Sequence, residues 1–142
     1  MTMTAEPPPQ GHPGYNITMG AEPKSVAQAR HLARQSCTAW GFDAETGETA
    51  ALLTSELVTN AVLHGRSHSI RVQVARVDGD LVRIVVVDKS HRMPEMKHPD
   101  PEDVSGRGLL LVDALTDRWG TDLLPWGKRM WAEILIKKQS EQ

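Results

Sequence analysis

From Ser25 to about Trp40, apolar residues recur at three- and four-residue spacing through Val26, Ala29, Ala33, Cys37 and Trp40, which predicts a helix that Ser25 can cap. Gly41 is placed to end it. A second helix is predicted from about Glu45 to Leu63, with Ala50, Leu53, Leu57 and Ala61 as one apolar stripe and His64-Gly65 closing it. Two β-type runs follow, Ser69 to Val77 and Leu81 to Val87, joined by the hairpin sequence Asp78-Gly79-Asp80. In the first run Ile70, Val72 and Val74 alternate with Arg71, Gln73 and Ala75, so one face is buried and the other wet. The second run becomes the continuous stretch Ile84-Val85-Val86-Val87, which suits a central strand.

Periodicity is lost from Lys89 to Ser105, a stretch rich in proline, histidine and charge that reads as a long loop. Gly106-Arg107-Gly108 then opens a third helix through Leu109 to about Thr116. Strands are predicted near Arg118 to Asp122 and from Arg129 to Ile136, and a short first strand from Tyr15 to Met19. The order βααββ-loop-αββ implies an α+β fold, a two-layer α/β sandwich with helices on one face of a mixed, mostly antiparallel sheet. The expected division is a disordered tail over residues 1–14, one domain over 15–137 and a short C-terminal tail over 138–142.

The 142 residues suffice for one core, and the composition, 39% hydrophobic and 24% charged, is that of a soluble globular chain. A formal net charge of -2 with no basic block gives non-specific nucleic-acid binding no electrostatic basis. No apolar run approaches a membrane span, and the prolines at 7, 8, 9 and 13 replace the apolar stretch of a secretory signal. Cys37 is the only cysteine, so no internal disulfide forms and a cytoplasmic location is expected, with the thiol serving as packing.

Three sets of residues carry candidate chemistry. Glu56 and Asn60 stand one turn apart on the second helix, offset by one position from the stripe of Leu53, Leu57 and Ala61, at the edge where a pocket wall would be. Asparagine is a poor helix-interior residue because its amide competes with the backbone, yet Asn60 is centred in Leu-Val-Thr-Asn-Ala-Val-Leu. Asp88 follows the apolar strand and can accept a hydrogen bond from the exocyclic amine of a base. Gly106-Arg107-Gly108 precedes a helix, where close backbone approach and free amides suit phosphate oxygens. Taken singly, these also read as an exposed polar pair, a turn aspartate and a loop that needs positive φ.

Their order and spacing together carry a resemblance. Glu56-Leu57-Val58-Thr59-Asn60-Ala61-Val62-Leu63-His64-Gly65 resembles the N box of the GHKL ATPases, the superfamily of gyrase, histidine kinases and bacterial anti-sigma factors. Its His-Gly ending is similar to the anti-sigma-factor branch, serine kinases that hold sigma factors and phosphorylate their anti-anti-sigma antagonists. Asp88-Lys89-Ser90 with Pro94 resembles that branch's first glycine box, and Gly106-Arg107-Gly108-Leu109-Leu110-Leu111-Val112 its second. Gly127-Lys128 before a tryptophan-bearing strand resembles its closing motif, and the likeness spans roughly Ser25 to Ile136.

The resemblance implies the Bergerat ATP-binding fold, with ATP and Mg²⁺ as cofactors. Asn60 would be the Mg²⁺ ligand, and Glu56 the general base toward a serine or threonine hydroxyl. Asp88 would read the adenine amine. Gly106, Arg107, Gly108 and Leu109 would close on the phosphates, with residues 92 to 105 as a lid, and His64 and Lys128 would complete the nucleotide site. Its partners would be a sigma factor and an anti-anti-sigma factor, with no direct nucleic acid, no membrane, and a homodimer open, since members of that branch often dimerise.

Two departures stand out: Ser90 replaces a usual glycine, and Arg129 replaces a threonine beside the adenine, leaving it to block the pocket, pair with Asp88 or point outward. The rival function is a nucleotide-binding regulatory module, weakly active or inactive, that binds a sigma factor or another regulator. A histidine-kinase catalytic fragment is disfavoured because the chain has no room for an acceptor helix pair. His64, His68, His91 and His98 match no tight zinc spacing, and Trp119, Trp126 and Trp131 read as core and sheet-edge packing rather than a recognition platform, with one of them open to serving a partner surface.

Overall fold

The computed structural model describes residues 14–64, 68–78, 80–89 and 104–136, with the backbone alone for His64 and for 104–109. Within them lie β1 (Gly14–Gly20), α1 (Pro23–Ala39), α2 (Ala44–His64), β2 (Ser69–Val77), β3 (Leu81–Asp88), α3 (Val104–Leu115), β4 (Arg118–Leu124) and β5 (Gly127–Leu135). The element order is the one the hydrophobic pattern implies. The sheet has the order β1-β2-β3-β5-β4, and every pairing in it is antiparallel, so the expected mixed character is corrected.

The ends of the helices differ from the sequence reading in instructive ways. Ser25 does not cap α1: Glu22 is the N-cap, Pro23 occupies the first turn, and the buried Ser25 hydroxyl donates to the Gly20 carbonyl at 2.5 Å. At the other end Gly41 takes φ 80°, and the amides of Gly41 and Phe42 return to the carbonyls of Thr38 and Cys37, both at 3.0 Å. That is the Schellman termination expected of a glycine there. Asp43 starts α2 by accepting the Thr46 amide at 2.8 Å. α3 begins at Val104, so Gly106 and Gly108 lie within its opening turns and not ahead of it.

Alternation sets the layers. Ile70, Val72 and Val74 of β2, Val82, Ile84 and Val86 of β3, and Met130, Ala132 and Ile134 of β5 are buried beneath the helices. Leu53 and Leu57 of α2 are fully buried against them, each contributing about 1.5–3 kcal/mol by its removal from water. The opposite face of the sheet carries Arg83, Arg118 and Glu133, where the buried Glu133 carboxylate accepts from both arginines at 2.7 Å. Burial works to raise the Glu133 pKa, but hydrogen bonds from Arg118 and Arg83 outweigh it and hold it below its ordinary value.

The direction of each helix fixes which end of the sandwich holds the candidate site. Thr46 and Thr49 at the start of α2 share a cavity of ≈ 220 Å³ with Ile134, Leu135 and Leu115. Leu135 pairs with Leu81, so α2 begins at the start of β3. Only residues 65–68 join the end of α2 to β2, whose Arg71 pairs with Val87, so α2 ends where β3 ends. Leu115, the last residue of α3, lines the same cavity, so α3 runs the other way and its first turns point back toward the Asp88 end.

Candidate nucleotide site

α2 climbs about 21 Å from Thr46 to Asn60 at 1.5 Å per residue, and β3 covers about 23 Å from Leu81 to Asp88 at 3.3 Å per residue. Asn60 therefore lies toward the end of the sandwich at which β3 finishes. Glu56 and Asn60 lie seven and eleven residues after Thr49, on the same side of the helix, and Thr49 faces the cavity shared with α3. Both side chains are half-buried, at the edge of the stripe formed by Leu53, Leu57 and Ala61, as the sequence implies.

Burial raises the pKa of Glu56 above the ordinary carboxylate value, the direction a proton acceptor needs. The Asn60 Oδ1 atom is buried and has no hydrogen-bond partner. A buried amide oxygen left in that state costs free energy, and a hard cation satisfies it. The donor set present here thus fits a magnesium ion at Asn60.

Asp88 is the last residue of β3 and, with Val82, Ile84 and Val86, belongs to the helix-facing row. It pairs in register with Lys128 of β5, which lies on the same face. Lys128 is 0% exposed and Asp88 2%, and the ammonium nitrogen lies 3.3 Å from Oδ1 and 3.3 Å from Oδ2 of the carboxylate. Gly127 makes this approach possible. A Cβ there would overlap the Asp88 carbonyl oxygen and the Lys89 Cα, so only glycine lets β5 begin against the end of β3.

Of the three placements open to Arg129, the structure selects the outward one. It alternates with Lys128 and so lies on the open face, where its guanidinium donates to Asp122 Oδ2 at 2.7 Å and 3.2 Å. The residue beside Asp88 is Lys128. Sequence reading named Lys128 for the site but missed this pair; the signal was the two-residue alternation that puts positions 128 and 130 on one face and 129 on the other.

The structure thus brings Glu56, Asn60, Asp88, Lys128 and the start of α3 to one end of the sandwich. His64 is the last residue of α2, at that same end, and Gly106, Arg107, Gly108 and Leu109 are in α3, with none of their side chains described. Ser90, His91, Pro94, His98 and all of the expected lid at 92–105 except residues 104 and 105, which begin α3, lie outside the described residues, as do residues 1–13 and 137–142. Among the described residues no group of three or more His, Cys, Asp or Glu is placed to hold a metal ion. No helix among them is long and apolar enough to cross a membrane.

One end of the α+β sandwich thus carries a half-buried Glu-x-x-x-Asn helix edge, a strand-end aspartate and a glycine-bearing helix start. The sequence profile described as histidine kinase-like ATPase domain matches residues 19–127, and the chain belongs to that family. None of the curated proteins compared matches it significantly. Among solved structures, that of the RsbU and RsbW domains of Rv1364c from Mycobacterium tuberculosis is similar, with a TM-score of 0.69 and 22% identity. The likeness covers 90% of this chain and 33% of that one. The histidine kinase domain of the blue-light activated histidine kinase EL346 from Erythrobacter litoralis is also similar, with a TM-score of 0.50, 22% identity, and coverage of 77% of this chain and 59% of that one. The chain thus spans about a third of the first and three-fifths of the second, and at this identity both speak to the fold.

Proposed function

We propose that the chain is an ATP- and Mg²⁺-dependent serine/threonine protein kinase of the anti-sigma-factor kind, which phosphorylates an anti-anti-sigma antagonist and sequesters a sigma factor. The observation that carries this reading is the buried, unpartnered Asn60 Oδ1 one turn from a carboxyl group whose pKa burial has raised.

Asn60 would hold the metal through its amide oxygen. A magnesium ion held there would supply positive charge to offset that of the phosphates. Glu56 would accept the proton of the incoming serine or threonine hydroxyl as its oxygen bonds to the terminal phosphorus of ATP and the bond from that phosphorus to the bridging oxygen breaks, releasing ADP. Its raised pKa makes it a better base than an exposed glutamate. The opening turns of α3 offer backbone amides and the positive end of a helix dipole to phosphate oxygens. Asp88 accepts from the exocyclic amine of adenine, an acceptor role that its bond from Lys128 does not exhaust, because each carboxylate oxygen has two lone pairs.

One observation favours a second reading, a regulatory module in which nucleotide only sets conformation. Lys128 stands against Asp88 as a buried, charged neighbour, so the base-reading carboxylate already has a strong partner. The two readings part on catalysis. Wild type is expected to transfer phosphate from ATP to a cognate anti-anti-sigma protein, and Glu56→Ala to bind ATP without transferring it. ATP binding with no transfer by wild type to any cognate antagonist selects the module.

A further inference from the structure

The open face of the sheet carries a second concave site on the far side of Asp88. It encloses ≈ 270 Å³ and is lined by Arg71, Val87, Lys89, Leu124, Trp126 and Arg129 among others. Register explains how it forms. Thr18 pairs with Arg71, Arg71 with Val87, Val87 with Arg129 and Arg129 with Asp122, so one row of open-face residues crosses all five strands.

Arg71 and Arg129 therefore flank Val87 from the two neighbouring strands, with backbones about 10 Å apart at the usual strand spacing. Arginines on either side of one small apolar side chain can offer a carboxylate two guanidiniums once Arg129 turns from its pair with Asp122. Asp88 also lines the cavity, but its carboxylate belongs to the helix-facing row and is held by Lys128. The lining is basic in sum. Arg129 is half-exposed and its ion pair with Asp122 is a surface pair of small net value, so an incoming anion can share or replace it.

Apolar character comes from the β4–β5 hairpin. Trp126 is 56% exposed, an unusual placement for so large an apolar ring, and Leu124 and Val87 adjoin it in the cavity wall. Exposed tryptophan and arginine in one small concavity is the composition of an interface hot spot.

We infer that this open-face cavity docks an acidic, apolar segment of a protein partner, with a carboxylate side chain between Arg71 and Arg129 and an aliphatic or aromatic side chain on Trp126 and Leu124. A nucleic-acid backbone fits it less well, because the cations are few, the wall is largely apolar and the chain as a whole carries a net charge of -2. The arginines and Trp126 lie on the sheet face opposite the one that carries the Asp88 carboxylate, and occupancy of the cavity is read without kinase activity.

The test is a fluorescence anisotropy titration of the full chain with a labelled peptide of alternating Glu and Leu, a matched Lys-Leu peptide and a single-stranded oligonucleotide. Saturable binding of the Glu-Leu peptide alone is expected, weakening with added salt. Arg71→Glu and Trp126→Ala should each lower that affinity by about tenfold or more, and both change exposed residues, so circular dichroism should remain that of wild type. Failure of the Glu-Leu peptide to bind, binding unchanged by Arg71→Glu, or tighter binding of the oligonucleotide through the same residues would each overturn the inference.

Discussion

Lys128 Nζ lies 3.3 Å from both carboxylate oxygens of Asp88, the two side chains sharing the helix-facing side of paired strands with almost no exposure to solvent. Removing one member of such a pair leaves the other charge in a site built for two. Lys128→Met is expected to destabilise the fold by about 3–5 kcal/mol, read from urea denaturation. Lys128→Met with Asp88→Leu should recover much of that loss. A single variant as stable as wild type would show that the pair is not what holds the strand end.

Asn60→Ala is expected to abolish Mg²⁺-dependent nucleotide binding while leaving thermal stability at or near the wild-type value. The substitution deletes a buried oxygen that has no protein partner, so little folding energy is lost with it. Nucleotide binding with and without chelator, beside a thermal melt, separates the two effects.

Glu56→Gln is expected to lower phosphotransfer by roughly 10²–10⁴-fold with nucleotide affinity retained. Because burial raises the Glu56 pKa, the folded state holds that proton more tightly than the unfolded chain does. The group's contribution to stability is therefore fully present in acid, below its unfolded pKa, and is lost as pH rises through the folded value. The glutamine variant should match or slightly exceed wild type in melting temperature at neutral pH, with the difference closing or reversing in acid.

Cys37 is buried in the α1 core and burial pushes its thiol pKa up to about 11. The thiolate is the reactive form, so the folded protein should resist alkylation at neutral pH and react promptly in denaturant. Rapid modification of the native chain would contradict the packing described for α1.

Much of this was legible in the sequence because it rests on periodicity. The stripe of Leu53, Leu57 and Ala61 placed Glu56 and Asn60 at a helix edge, and Gly41 marked a helix end through its freedom at positive φ. Ser25 misled because a cap and a buried hydroxyl bonded to the preceding strand look alike in one dimension. The partner of Asp88 was hidden for a related reason. Position 128 meets position 88 only through the register of two strands forty residues apart, and a charged residue read from sequence is expected in water unless paired. Arg129 drew attention for its identity, but strand alternation sends it to the other face.

A calorimetric titration of the chain with Mg²⁺·ATP bears most directly on the nucleotide site. Saturable heat is expected for wild type, with weaker binding of Mg²⁺·GTP, loss of the response in Asn60→Ala and loss of the preference for adenine in Asp88→Asn. A folded wild-type sample giving no heat at millimolar nucleotide, or Asn60→Ala binding as wild type does, would contradict the placement of the metal and the base between α2 and the end of β3.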